Sequence, residues 1–176
     1  TALADADAGF KTITFKPVTE SATRVAMIQS GDAQLIWPIP TESVSVLESD
    51  PNVTSYRDDG IVVRYLMMNT QKEPLNNPKV RQAMDYAVNK EAYIQVVDNG
   101  LSSVATSIIG PAVQYYKGNE ARAYDPEKAK ALLADAGYPD GFKMTITVPS
   151  NYQPHIDTAQ VIVEQLKEVG ITAEIQ

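Results

Sequence analysis

The last third of the chain constrains the fold most. Residues 126–136 carry a helical apolar stripe, "KMTITV" alternates as a strand, residues 157–169 read as helix, and "ITAEIQ" reads as strand again. Strand, helix, strand is a βαβ unit, which calls for a parallel pair joined by a right-handed crossover. The expected class is α/β.

The acids around this unit look at first like chemistry. Asp125, Glu127, Asp135 and Asp140 crowd into "AYDPEKAKALLADAGYPDGFKMTI" beside Lys128 and Lys130. Each has a structural role instead. Asp125 suits the N-cap, and Pro126 the first helical position, where its missing N–H costs nothing. Glu127 falls in the first turn, where the helix dipole favours an anion. Gly137 supplies the left-handed exit, Pro139 prevents continuation, and Asp140-Gly141 turns the chain. A calcium loop would need oxygen ligands at alternating positions and a closing glutamate, which this stretch lacks.

The same punctuation recurs upstream. Asn77-Pro78 opens a helix whose Val80, Ala83, Met84, Ala87 and Val88 share one face, and Asn89 restarts a helix through Tyr93, Val96 and Val97 to Gly100. Residues 102–124 are weakly periodic and read as an irregular loop holding Tyr115, Tyr116 and Tyr124, a type of segment often used for function. Earlier, "KTITFKPV", "AQLIW", "NVTSYR" and "IVVRYLMMN" read as strands. Ser21 and Thr41 are expected to cap short helices over 22–30 and 42–49. Turns are expected at Asp50-Pro51-Asn52 and Asp58-Asp59-Gly60. Trp37 is expected in the core, since a tryptophan brings a large area to bury.

Composition narrows the function classes. With 44% hydrophobic and 21% charged residues the chain is an ordinary globular one. A net charge of −7 repels phosphate backbones, so nucleic acid is a poor partner. There is no cysteine, which removes disulfides, thiolate metal sites and a cysteine nucleophile. The longest apolar stretches fall short of a membrane span, and one of them carries Arg64. "TALADADAGF" lacks the basic start and apolar core of a signal peptide. The chain stops in mid-strand and reads as a piece of a longer protein.

Catalytic motifs are missing. His155 is the one histidine, Asp157 is too near in sequence to be an obvious orienting partner, and there is no nucleophile elbow, dinucleotide fingerprint or P-loop. No cofactor is implied. His155 lies in "VPSNYQPHID", at the carboxyl end of a strand, where open α/β sheets bind ligands. Asn151, Tyr152 and His155 either present polar groups to a cleft there or form an exposed loop with Asp157 as helix cap. Arg64 is either a solvent-facing edge residue or a cleft residue that meets an anionic ligand group.

Three segments, taken in order, carry a resemblance: "NNPKVRQAMDYAVNKEAYIQVV", "YDPEKAKALLADAGYPDGF" and "QLKEVGITAEI". Together they resemble family 5 of the extracellular solute-binding proteins, the peptide-, glutathione- and nickel-binding receptors of ABC importers. "SGDAQLIWPIP" is similar to another segment of that family. The resemblance implies a periplasmic-binding-protein-like lobe fragment with a mixed sheet and flanking helices. Residues 1–62 would end the first lobe's sheet. Residues 63–176 would hold the hinge-crossing strand and the start of the second ligand-binding lobe. It implies a periplasmic or extracellular, lipid-anchored receptor that closes on a peptide-like solute in an interlobe cleft and delivers it to a membrane permease. Arg64, Tyr65, Asn151, Tyr152 and His155 would face the ligand. Dipeptide binders of the family carry an arginine in the last loop, and this chain has none between Lys143 and Lys167, so dipeptide specificity is not supported. The alternatives are a small histidine-dependent enzyme or a non-catalytic interaction module.

Overall fold

The computed structural model describes residues 11–58 and 60–176. The stretch "TALADADAGF" and Asp59 of the expected 58–60 turn lie outside them. The chain forms two compact units, Thr1–Ser55 and Tyr56–Gln176.

The first unit holds α1 (Ser21–Ser30), a 3-10 turn (Thr41–Ser43) and α2 (Val44–Glu48). Glu20, not Ser21, stands at the N-cap of α1, and no side chain caps it. The entry is organised by Arg24 instead, which reaches back to donate to Val18 O at 2.9 Å, Thr19 O at 3.0 Å and Ser21 Oγ at 3.0 Å. Gly31 ends α1 in the left-handed conformation at φ 82°. Thr41 opens the 3-10 turn rather than capping an α-helix. The Asp50 turn forms, its carboxylate accepting from Asn52 N at 2.9 Å.

None of the four expected early strands forms a ladder among the described residues. A strand exists only through a pairing partner, and these extended runs have none there. Among the described residues the expected mixed sheet is a parallel pair. Trp37 is 83% exposed and not core. Leu47 is the one buried hydrophobic side chain among the described residues of this unit, so nothing there provides a core for an indole to enter.

The second unit is built from α3 (Pro78–Ala87), α4 (Lys90–Asp98), α5 (Pro126–Asp135), β1 (Lys143–Ile146), α6 (Gln153–Lys167) and β2 (Thr172–Ile175). The caps read from sequence are made. Asn77 accepts from Lys79 N, Asn89 from Ala92 N and Asp125 from Lys128 N, each at 2.9 Å. Val80, Ala83, Met84 and Ala87 are buried, and α3 packs chiefly on α5 through its Ala129 and Leu133. Alanines on both sides of that contact allow close approach. In α4 the inward residue is Ile94, while Val96 is 70% exposed. Residues 101–124 form no helix or strand.

The strands β1 and β2 pair in parallel, Lys143 opposite Thr172 and Ile146 opposite Ile175, with α6 as the crossover. Because the strands start level, the turns that feed them meet. A Cβ built on Gly141 (φ 76°) would lie 1.9 Å from Gly170 O. Ile146, Leu166, Ile171 and Ala173 extend the core of α3 and α5 across this pair. Gln165 of α6 ties the layer to the α3–α4 junction, accepting from Asn89 N at 3.1 Å and donating to Asn89 O at 3.4 Å.

The crossover helix begins at Gln153, four residues before the expected start. Pro154 falls in its first turn, where a missing N–H is harmless. Asp157 is therefore inside the helix and caps nothing. Its carboxylate accepts from Gln153 Nε2 at 2.7 Å.

Candidate functional site

The segment 64–69 alternates in burial. Arg64, Leu66 and Met68 turn inward, Leu66 and Met68 against the core, while Tyr65 and Met67 are exposed. Arg64 is thus neither a free edge residue nor an open cation. Its Nη2 donates to Asp98 Oδ1 and its Nη1 donates to Tyr93 Oη at 2.7 Å. Asp98 is the last residue of α4 and only 4% exposed.

A carboxylate at the negative end of a helix is poorly placed unless a cation answers it. Arg64 is that cation. Burial pulls the guanidinium down, but the Asp98 hydrogen bond, with attraction from Tyr93, Asp98 and Tyr152, holds it above its ordinary value. The guanidinium also lies 5.8 Å from the Tyr93 ring centroid.

The network continues to the crossover helix. Tyr93 Oη is 3.0 Å from Thr158 Oγ1, which donates to Pro154 O at 2.5 Å. Tyr152 and His155 flank that turn, with ring centroids 4.7 Å apart in an edge contact, and His155 N donates to Tyr152 O at 3.0 Å. Tyr152 is 51% exposed and Asn151 is exposed beside it.

Three of the five predicted residues, Arg64, Tyr152 and His155, therefore belong to one neighbourhood at the carboxyl end of β1. Asn151 sits at its rim. Tyr65 points to the opposite side of its strand-like segment from Arg64. Tyr93, Asp98 and Thr158 are additions. The sequence hints at Asp98 alone, as an aspartate closing a helix that needs a cation, and it carries no signal for Tyr93 or Thr158 or for the pairing with Arg64.

A separate open groove is lined by Asp85, Tyr86, Lys90, Thr106, Asn119 and Arg122. There Asp85 accepts from Arg122 at 2.6 Å and pairs with Lys90 at 2.8 Å. Its burial favours the neutral acid, but the bonds from Lys90 and Arg122 outweigh that and hold it below its ordinary value. No group of three or more potential metal ligands occurs among the described residues. No helix among them is long and apolar enough to cross a membrane.

The class these elements define is an α/β lobe that carries polar and aromatic side chains at the carboxyl edge of a parallel strand pair. Residues 5–176 match the family described as bacterial extracellular solute-binding proteins, family 5 Middle, and the chain belongs to that family. It is 39% identical over 163 residues to the glutathione-binding protein GsiB of Escherichia coli K12, covering 93% of this chain and 32% of the relative. The periplasmic binding protein DppA from Helicobacter pylori, solved with the peptide STSA, superposes with TM-score 0.81 at 34% identity over 90% of this chain and 31% of that one. NikA from Brucella suis, solved with Fe(III)-EDTA, shares the fold with TM-score 0.78 at 21% identity, over 90% of this chain and 35% of that one. The chain spans about a third of the length of the relatives it matches.

Proposed function

We propose that the chain is part of the solute-binding receptor of an ABC importer, a receptor that captures a peptide-like solute outside the cytoplasmic membrane and delivers it to a permease. In this reading residues 1–62 close one lobe's sheet, and residues 63–176 begin another. Tyr152 and His155, with Asn151 at the rim and Arg64 and Tyr65 on the crossing segment, contribute one wall of the ligand cleft. The role is capture and release by domain closure, not catalysis. The observation that carries the reading is the family match over residues 5–176, in a chain that sets Tyr152 and His155 at the carboxyl edge of its parallel pair.

An exposed tyrosine edge against an imidazole offers a stacking face and a hydrogen-bond donor, which suits the amide planes and polar ends of a short peptide. Asp157, the carboxylate nearest to His155 in sequence, accepts from Gln153 instead.

Titration calorimetry of the full-length receptor against glutathione and a panel of short peptides tests the reading. Binding by the full-length chain, with weak or no binding by residues 1–176 alone, is the expected result. Equal affinity of the two, or no binding by the full-length chain, would overturn it.

A further inference from the structure

We propose that Arg64 is a positioning residue. It sets the Tyr152–His155 turn through Tyr93 and Thr158, and it does not contact the solute's anionic group. The inference rests on the receptor reading above and assigns a different task to one of its residues.

Two observations carry it. First, the charge is already used. The Arg64 guanidinium is bonded to the buried Asp98 and to Tyr93 Oη, and its side chain is 28% exposed, with Leu66 and Met68 of the same segment turned into the core. Two of its N–H groups are taken by Asp98 and Tyr93 Oη, and an anion that drew the guanidinium away would leave the Asp98 carboxylate buried without its only ionic partner among the described residues, which is strongly unfavourable. Second, the bonds lead somewhere. Arg64 fixes Tyr93 Oη, Tyr93 Oη meets Thr158 Oγ1 at 3.0 Å, and Thr158 Oγ1 holds Pro154 O, in the turn between Tyr152 and His155. The hydroxyl of Tyr93 carries a hydrogen-bonded path from the 64–98 ion pair to the start of α6. Arg64 and Tyr93 should therefore act as one unit, with effects that do not add.

The test uses Arg64→Met, Tyr93→Phe and the double variant in the full-length receptor. Two readouts apply. One is affinity for glutathione and for a peptide in both its free-acid and C-terminal amide forms. The other is the imidazole resonance of His155, assigned by its loss in His155→Asn and followed without ligand. Each single variant is expected to shift that resonance and to weaken free acid and amide alike, by about tenfold. The double variant should be no worse than either single one.

Loss confined to the free acid in Arg64→Met, with the His155 resonance unmoved, would make Arg64 a direct ligand contact and overturn the proposal. So would a Tyr93→Phe variant that changes neither readout, and this arm stands even where Arg64→Met fails to fold. If the wild-type receptor binds none of the probes, the receptor reading fails, and the unliganded His155 resonance still decides the positioning role.

Discussion

Gly141 shows how little room one position can have. Its positive φ is shared with Gly137, but nothing lies within 4 Å of a Cβ at Gly137, whereas at Gly141 that atom would enter the Gly170 carbonyl. Gly137→Ala should therefore cost only the left-handed backbone penalty, about 1 kcal/mol. Gly141→Ala must also push two strand-feeding turns apart and should cost about 3 kcal/mol or more. Urea melts of the two variants separate the cases, and equal midpoints would show that the turns can yield. Asp85 makes a second prediction at this scale. Its folded-state pKa lies below the ordinary value because Lys90 and Arg122 favour the carboxylate over the opposing effect of burial. A depressed acid contributes stability that is fully present above its unfolded value, about 4, and is lost as pH falls through the lowered one. Asp85→Asn should be less stable than wild type at neutral pH, and the gap should close under acid. A gap that persists at the acid end of a pH series of melts would mean that the triad is not its source.

At the scale of elements, what could be read from sequence followed from whether the cause is local. Asn77, Asn89 and Asp125 cap their helices because a side-chain oxygen two or three residues away from the N–H that donates to it needs no help from the rest of the fold. Replacing Asn77 or Asp125 with Ala should each cost about 1 kcal/mol in a thermal or urea melt. A strand is a different object. The runs at 11–18, 33–37, 52–57 and 61–69 have the composition of strands, but alternation describes which faces a segment would have, not what it pairs with. Only β1 and β2, brought level by a connecting helix, find each other among the described residues. The start of α6 lies earlier than its apolar pattern implies for a related reason. Asp157 looked like a cap, but Pro154 is at home one step inside the helix, which moved the boundary back and put His155 on the helix itself. Of the candidate site, the place at the carboxyl end of β1 was legible from topology. The Arg64–Asp98–Tyr93 network was not, because its members are 29 and 34 residues apart and no spacing rule joins them.

The whole molecule is uneven. The buried cluster runs from Val80 to Ala173 and lies entirely within the Tyr56–Gln176 unit. In the described part of the other unit, Leu47 is the one buried hydrophobic side chain, while Phe15, Leu35 and Trp37 are all 81% exposed or more. Stability should divide accordingly. Hydrogen exchange on the isolated chain is expected to find its slowest amides in α3, α5, α6 and the strand pair, with residues 11–55 exchanging far faster. Comparable protection in both units would show that the first has a core of its own.

Trp37 turns this asymmetry into something optical. It is the only tryptophan in the chain, so the indole fluorescence comes from one known point. Standing in water, that indole should emit at the red end of its range and be open to collisional quenching. Acrylamide suits the measurement better than iodide, since a net charge of −7 holds an anionic quencher away. Any surface that came to cover Trp37 would announce itself as a blue shift and a loss of quenching, with no label added.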